Sequence, residues 1–486
     1  MKRTGRNILI MLLVLAVLGG AAFLLLQMPA DVSGQEESSA VDSSSAPESA
    51  AITEIEADSV ESVKVNNAKD TYTILAIPSS DGTSTDFTVE GLGGYNLNNT
   101  LVTTNVRTIL ALSASKDLGS QEDLEAFGLK GDAAATVTIL QKDGTSQELI
   151  FGSAAAESVG KYVLKDDKVY IVSGVPDNFY ENQYAFLNKE IYTVPDRTEE
   201  VENEDGTTSV NTAADIMYSL TLGGTRYPEK IQIDYSSKAS SGYLITSPIM
   251  AESGNTPFGE MVTALKSLTA DEIVQAGVTD EVLEKYGLNE PEVELSFNMN
   301  DSDHQLSLSA KNEEGNRYLL ADSNDMVYQV SNEAVKTWAE ADLLNLRMSY
   351  IWIPNIKNVQ KLTITKDGDE VWEFTISRTK NEEKSTEKNT EYDLSITDVQ
   401  GQEVDYSEAY QPFYQKLIAL AVFSQEKAEY SGTPMLRVEY EYFDGGGDVV
   451  ELYPIQGENR YAATLDGVYN GQVRGTEVSA MLEIMP

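Results

Sequence analysis

Residues 124–129 read LEAFGL and residues 283–288 read LEKYGL, and what flanks the two copies decides the fold. Each copy is followed by two runs of alternating apolar and polar residues around a polar turn, TVTILQKDGTSQELIFG at 136–152 and VELSFNMNDSDHQLSLS at 293–309. Period-two alternation marks strands with one buried face. A second hairpin comes next in both, KYVLKDDKVYIV from Lys161 and RYLLADSNDMVYQV from Arg317. Each unit then closes on an echo: Phe186, Leu187 and Asn188 with Pro195 downstream, then Leu343, Leu344 and Asn345 with Pro354 downstream. A third copy is degenerate. MLRVEYEYFDGGGDVVELYPI (435–455) precedes RYAATLDGVYNGQV (460–473), and the LExxGL step is missing.

Upstream, each unit carries one apolar stripe at helical spacing: Val102, Val106, Ile109 and Leu110; Phe258, Met261, Leu265 and Leu268; Phe413, Leu417, Leu420 and Ala421. Strand-like pairs stand before these stripes, at 59–77, 227–246 and 358–377. Turns such as Asp143-Gly144, Asp367-Gly368 and Asp466-Gly467 are too tight for parallel crossovers, so the strands are antiparallel. A one-striped helix has to cover one face of such a sheet. The expected fold is α+β: three tandem repeat units of antiparallel β-sheet, each covered by amphipathic helices, at 53–195, 213–350 and 351–486, the last degenerate.

Outside the units, composition changes. Residues 196–212, including EEVENEDGTTS, read as an acidic interdomain linker, and RTKNEEKSTEKNTE (378–391) as a long hairpin loop. Residues 27–52 are rich in Ser, Ala and acid and read as a disordered tether. Ile8 to Leu26 is an uninterrupted apolar run of nineteen residues, roughly 28 Å as a helix, enough to cross a bilayer core. Lys2, Arg3 and Arg6 make 1–7 a basic end. By the positive-inside rule that end is cytoplasmic, 8–26 is a retained transmembrane anchor in the lipid bilayer, and the bulk is extracellular.

The formal net charge is -43, which repels phosphate backbones and excludes nucleic acid as a partner class. Without cysteine there is no disulfide, lipid attachment or thiol nucleophile. The single histidine, His304 in NDSDHQ, reads as an exposed turn residue, too little for a triad or a zinc site. Ser113 with Lys116, and Ser385 with Lys388, fit S-x-x-K but lack the companion elements. GLGGYN from Gly91 and GSAAAESVGKY from Gly152 miss the phosphate-loop spacings, and Gly445, Gly446 and Gly447 between Asp444 and Asp448 read as a hairpin loop. KDGDE, DSDH and ENEDG offer calcium-like oxygens without a complete loop. Tyrosines and Trp338, Trp352 and Trp372 read as core and junction residues, Trp352 as an interdomain wedge. No catalytic, cofactor or metal residue is assigned, and the chain is not expected to be an enzyme.

The two LExx[FY]GL steps at Leu124 and Leu283, with their tyrosine-bearing hairpins and the anchor, resemble the bacterial domain-of-unknown-function family 4340, clearest over about 60–190 and 260–345. That resemblance implies a membrane-tethered envelope protein beside an ABC-type transporter, its partner a permease or auxiliary subunit. The expected function is a non-catalytic extracytoplasmic accessory or scaffold protein. The alternative is an extracellular module for a glycan, peptide or calcium ion, and after it a carboxylate-based envelope hydrolase.

Overall fold

Alternation of buried and exposed residues runs through three sheets. The computed structural model describes residues 50–155, 160–202, 207–322, 324–385 and 390–486; the basic end, the span at 8–26 and the tether up to residue 49 lie outside the described residues. Among the described residues no helix is long and apolar enough to cross a membrane. The tether's expected end at 52 is corrected, because Ile52 is buried and its N–H donates to the Leu112 carbonyl at 2.8 Å. The chain is α+β and mostly sheet.

Each large sheet is nine strands wide, one of them only two residues long at an edge. The other eight of the first sheet run across it as Thr85–Val89, Thr71–Pro78, Val60–Asn66, Ala135–Gln141, Ser146–Ala154, Lys161–Lys165, Lys168–Val172 and Ser113–Gly119. In the second the order is Tyr243–Ser247, Ile231–Tyr235, Met217–Gly223, Val293–Met299, Ser302–Leu308, Asn316–Ala321, Met326–Ser331 and Glu272–Ala276. In the third it is Tyr392–Asp398, Glu370–Lys380, Val359–Lys366, Leu436–Tyr442, Gly447–Pro454, Arg460–Leu465, Val468–Arg474 and Val422–Ser424. A three-strand meander comes first in the chain, then a helix and an edge strand, then a four-strand meander. The second meander starts beside the first strand and ends against the edge strand. All these ladders are antiparallel, as the tight turns require. Asn300 and Asp301 (φ 53° and 63°), Asp367 and Gly368 (50° and 86°) and Asp466 and Gly467 (50° and 79°) have positive φ at both central positions, the geometry of two-residue hairpins.

The helices Asn99–Leu110, Thr256–Ala264 and Gln411–Ile418 cover one face. Two begin where an asparagine caps them: Asn98 Oδ1 accepts from Leu101 N–H at 3.0 Å, and Asn255 Oδ1 from Phe258 N–H at 3.1 Å. The first contains its whole stripe, whereas the second and third are shorter than theirs. Leu268 belongs to the strand Ser267–Thr269, and Leu420 follows the helix end, since residues leaving a helix toward a sheet stay buried without staying helical.

The LExxGL step now has a physical meaning. Leu129 N–H donates to Leu124 O at 3.0 Å and Gly128 N–H to Glu125 O at 2.9 Å; Leu288 and Gly287 repeat both bonds at 2.8 and 3.2 Å. This is a Schellman stop, with glycine left-handed at φ 66° in both copies. The motif's aromatic ring then meets the next hairpin's tyrosine edge-on: Phe127 on Tyr162 and Tyr286 on Tyr318, both at 4.8 Å. Gly287→Ala should cost about 1–2 kcal/mol for the left-handed backbone, and Gly128→Ala about 1 kcal/mol more. At Gly128 a Cβ would stand 2.8 Å from Ser153 N, whereas at Gly287 the nearest atom is 3.9 Å away. Equal losses in urea melts of the two variants would contradict this.

Residues 196–212 are not an irregular linker. Thr198–Glu202 and Thr208–Thr212 pair as a two-stranded antiparallel hairpin exposed along nearly its whole length, because its β-branched Thr and Val favour strand while its acids keep it in water. The join between the first two sheets lies earlier, where Glu190–Thr193 pairs with Ser267–Thr269. Ile351 N–H to Leu420 O (3.1 Å) and Val422 N–H to Ser349 O (2.7 Å) make the corresponding join before the third sheet. The polar stretch from Arg378 lies at a hairpin end, with strand pairing running out to Lys380 opposite Tyr392. The first two sheets share one apolar core, which Ala462 and Tyr469 of the third sheet join, and the rest of the third sheet's interior forms a second core that takes in Leu244 of the second sheet.

Candidate functional site

One strand position recurs in all three sheets with a polar side chain on the buried face. Opposite Ile139 stands Gln147, opposite Phe297 stands His304, and opposite Tyr440 stands Asp448. Apolar inward positions precede each on the partner strand, so the polar residue caps the core just under the hairpin turn. Three different side chains meet three different surroundings there.

Gln147 keeps its side-chain oxygen buried without a hydrogen-bond partner. His304 is a correction: it lies in the strand Ser302–Leu308 and not in a turn, half-buried between Tyr192 (4.4 Å) and Phe297 (4.9 Å). The turn is only Asn300–Asp301, so the strand starts earlier than the polar run suggests. Burial pushes the His304 imidazole below its ordinary value, while Asp322 and Asp303 oppose the change. The unfolded chain therefore takes up this proton first as pH falls through about 6.5, and folded stability drops with it. Between pH 7.5 and 5, the urea midpoint of the parent should fall further than that of His304→Gln, by at most one proton's worth of slope. A larger fall in the variant would refute the assignment.

Asp448 sits in the most developed of these places. Its side chain is 3% exposed. Tyr442 O–H donates to one of its oxygens, and Trp352 Nε1–H donates to the Tyr442 oxygen at 3.2 Å. Burial and the bond to Asp448 push the Tyr442 hydroxyl far up, so it remains a protonated donor. Lys238, from the loop after Ile231–Tyr235 of the second sheet, brings its ammonium to 3.9 Å from Asp448 Oδ1, with its own side chain 67% exposed. Asp466 accepts from Val449 N–H at 2.8 Å, and burial followed by the charge of Asp448 raises its carboxyl. Between Lys238, Tyr442 and Asp448 lies a cavity of about 250 Å³ at the seam of the second and third sheets, bounded also by Asn355, Asn358, Asp444 and Gly445–Gly447. Gly447 is required by close approach, since a Cβ there would stand 2.2 Å from Tyr440 O.

The corresponding notch between the first two sheets is filled. Asn300 Nδ2 donates to Pro195 O at 3.0 Å and to Asp215 at 2.6 Å, and Lys266 reaches Asp215 at 2.7 Å, holding that carboxyl below the usual range.

Other positions singled out by sequence stay apart. Ser113 and Lys116 are exposed on the strand next to the two-residue edge strand of the first sheet. Ser385 O–H donates to Asn381 O at 2.7 Å in the long loop, and Lys388 lies outside the described residues. Gly91 forms a turn at φ 80°. Gly152 allows the Phe127 carbonyl to approach, where a Cβ would stand 2.4 Å away. Among the described residues no three metal-binding side chains gather. Trp338 is core, and Trp352 stands at the seam. Sequence reasoning singled out the triple glycine and Trp352 but missed Lys238 and the burial of Asp448, which only the sheet order brings together.

The family described as domain of unknown function (DUF4340) matches residues 88–241 and again 245–426. No curated protein and no solved structure matches the chain.

Proposed function

The chain belongs to the family described as domain of unknown function (DUF4340), and on that premise we propose that it is a non-catalytic accessory or scaffold protein of the cell envelope. Residues 8–26 hold it in the membrane, residues 1–7 face the cytoplasm, and the bulk projects outward beside a permease or auxiliary subunit of an ABC-type transporter. The three sheets are tandem repeat units of one ancestral module, a reading supported by their common strand order and by the two family matches opening on corresponding strands, Thr85–Val89 and Tyr243–Ser247.

The observation that carries the scaffold reading is the way the units are joined. Val194 N–H donates to Lys266 O and Ala270 N–H to Lys189 O, both at 2.8 Å, and the seam before the third sheet uses the same kind of backbone clamp. Backbone pairing across a junction resists hinging far better than a solvated linker. Such a body suits holding a partner at a fixed distance. Affinity purification of the tagged full-length chain from membranes should recover an integral membrane subunit, and deletion of 8–26 should lose it. Recovery of soluble proteins alone with the anchor intact would sink the proposal.

A second reading, an extracellular ligand-binding module, is favoured by the seam cavity at Asp448, open where the matching notch is plugged.

A further inference from the structure

We propose that the seam cavity binds a primary ammonium group, with Asp448 as its counter-charge and Lys238 as a tethered stand-in that the ligand displaces. The inference deepens the second reading above and is independent of the transporter partnership.

A carboxylate this far from water has to be paired and hydrogen-bonded. Tyr442 satisfies one oxygen. The carboxylate also has the raised Asp466 carboxyl as a hydrogen-bond neighbour, and its second oxygen faces an ammonium at 3.9 Å, close enough to balance charge and too far for a hydrogen bond. Lys238 reaches across from a different sheet on a largely exposed stem, so its hold is that of a surface ion pair. A free ammonium entering the cavity can come within hydrogen-bond distance of the same oxygen. Gly445 and Gly446 line the cavity, and a Cβ on either would stand in open space with nothing within 4 Å. In the second sheet the matching turn carries Asn300, whose amide closes the notch on Pro195 and Asp215. Asn355 and Asn358 on the rim offer neutral polar groups to the rest of such a ligand.

The test titrates the purified full-length chain with n-butylammonium chloride and with glucosamine hydrochloride at physiological ionic strength, following heat and melting temperature. Butanol and N-acetylglucosamine serve as neutral matches. At least one ammonium compound should bind while its neutral match does not. Lys238→Met should tighten binding about fivefold by removing the competitor. Asp448→Asn should weaken it at least about tenfold. Asp301→Asn, an exposed carboxylate in the second sheet, should change nothing. Binding of butylammonium alone places the group on a flexible chain, and of glucosamine alone on an amino sugar; both support the proposal. It is overturned if neither compound binds parent or Lys238→Met, if Lys238→Met binds no better than the parent, or if a folded Asp448→Asn keeps the affinity. Should Asp448→Asn fail to fold, the Lys238→Met comparison decides. Binding of a neutral compound in this cavity with ammonium ignored would leave the module reading standing and end this one.

Discussion

Arg347→Ala will lower the unfolding free energy by about 3–5 kcal/mol and separate the melting of the third sheet from that of the first two. The guanidinium is 2% exposed and lies where the chain leaves the second sheet. Nε donates to Met348 O, and Nη2 to Tyr350 O and to Asn470 Oδ1, each at 2.8 Å, while Nη1 donates to the Asn470 carbonyl. Asn470, fully buried in the last strand of the third sheet, passes the link on by donating to Met250 O and Ile351 O. These acceptors are uncharged. Burial pushes Arg347 down to about 10, so it still carries its charge at neutral pH. Removing it strands three acceptors in a dry seam, each worth about 1–3 kcal/mol before water enters, while Asn470 O keeps the Gln425 amide at 3.3 Å. Lysine will rescue little, since a point ammonium cannot span the fork. Adding Asn470→Leu to Arg347→Met should deepen the loss, because the backbone carbonyls of Met348 and Tyr350 stay stranded and those of Met250 and Ile351 lose their donor as well. Denaturant melts of the three variants check this, and a loss under about 1 kcal/mol for the alanine variant would show the seam held elsewhere.

What the sequence made legible was local. Alternation placed most strands, the LExxGL step announced its helix stop, and the polar pairs Asn300-Asp301 and Asp466-Gly467 took turn geometries that tolerate positive φ. Pairing of the first strand of each unit with the first strand of its second meander, Val63 opposite Ile139 for example, was not legible, since nothing in either strand names its neighbour. The hairpin at 198–212 was hidden by its charge, which resembles a linker's, and His304 by polar neighbours that continue the look of a turn into a strand. The cavity was hidden for another reason. Lys238, Trp352 and Asp448 are distant in the chain, and each alone reads as an ordinary surface or junction residue.

Trp338→Ala will cost about 3–5 kcal/mol, and its importance lies in which probe registers the loss. Trp338 is 1% exposed in the helix Asn332–Ala339, with Val335 and Ala339 buried on the same side. Tyr227 O–H points at the carbonyl groups ending that helix, Ala341 O at 3.0 Å being nearest. Truncation thus opens a cavity under a helix end whose cap depends on the helix staying in place. The core involved spans the first and second sheets, so both lose stability together. Trp352 and Trp372, the two tryptophans left, pack with the third sheet's core, and fluorescence of the variant reports that core and its seam with the second sheet. The far-UV dichroism midpoint should fall by the full amount while the fluorescence midpoint falls by less, because the Arg347 and Asn470 seam transmits only part of the loss. Coincident midpoints would make the 51–486 body a single cooperative unit; the separate cores would then be a matter of packing without thermodynamic consequence.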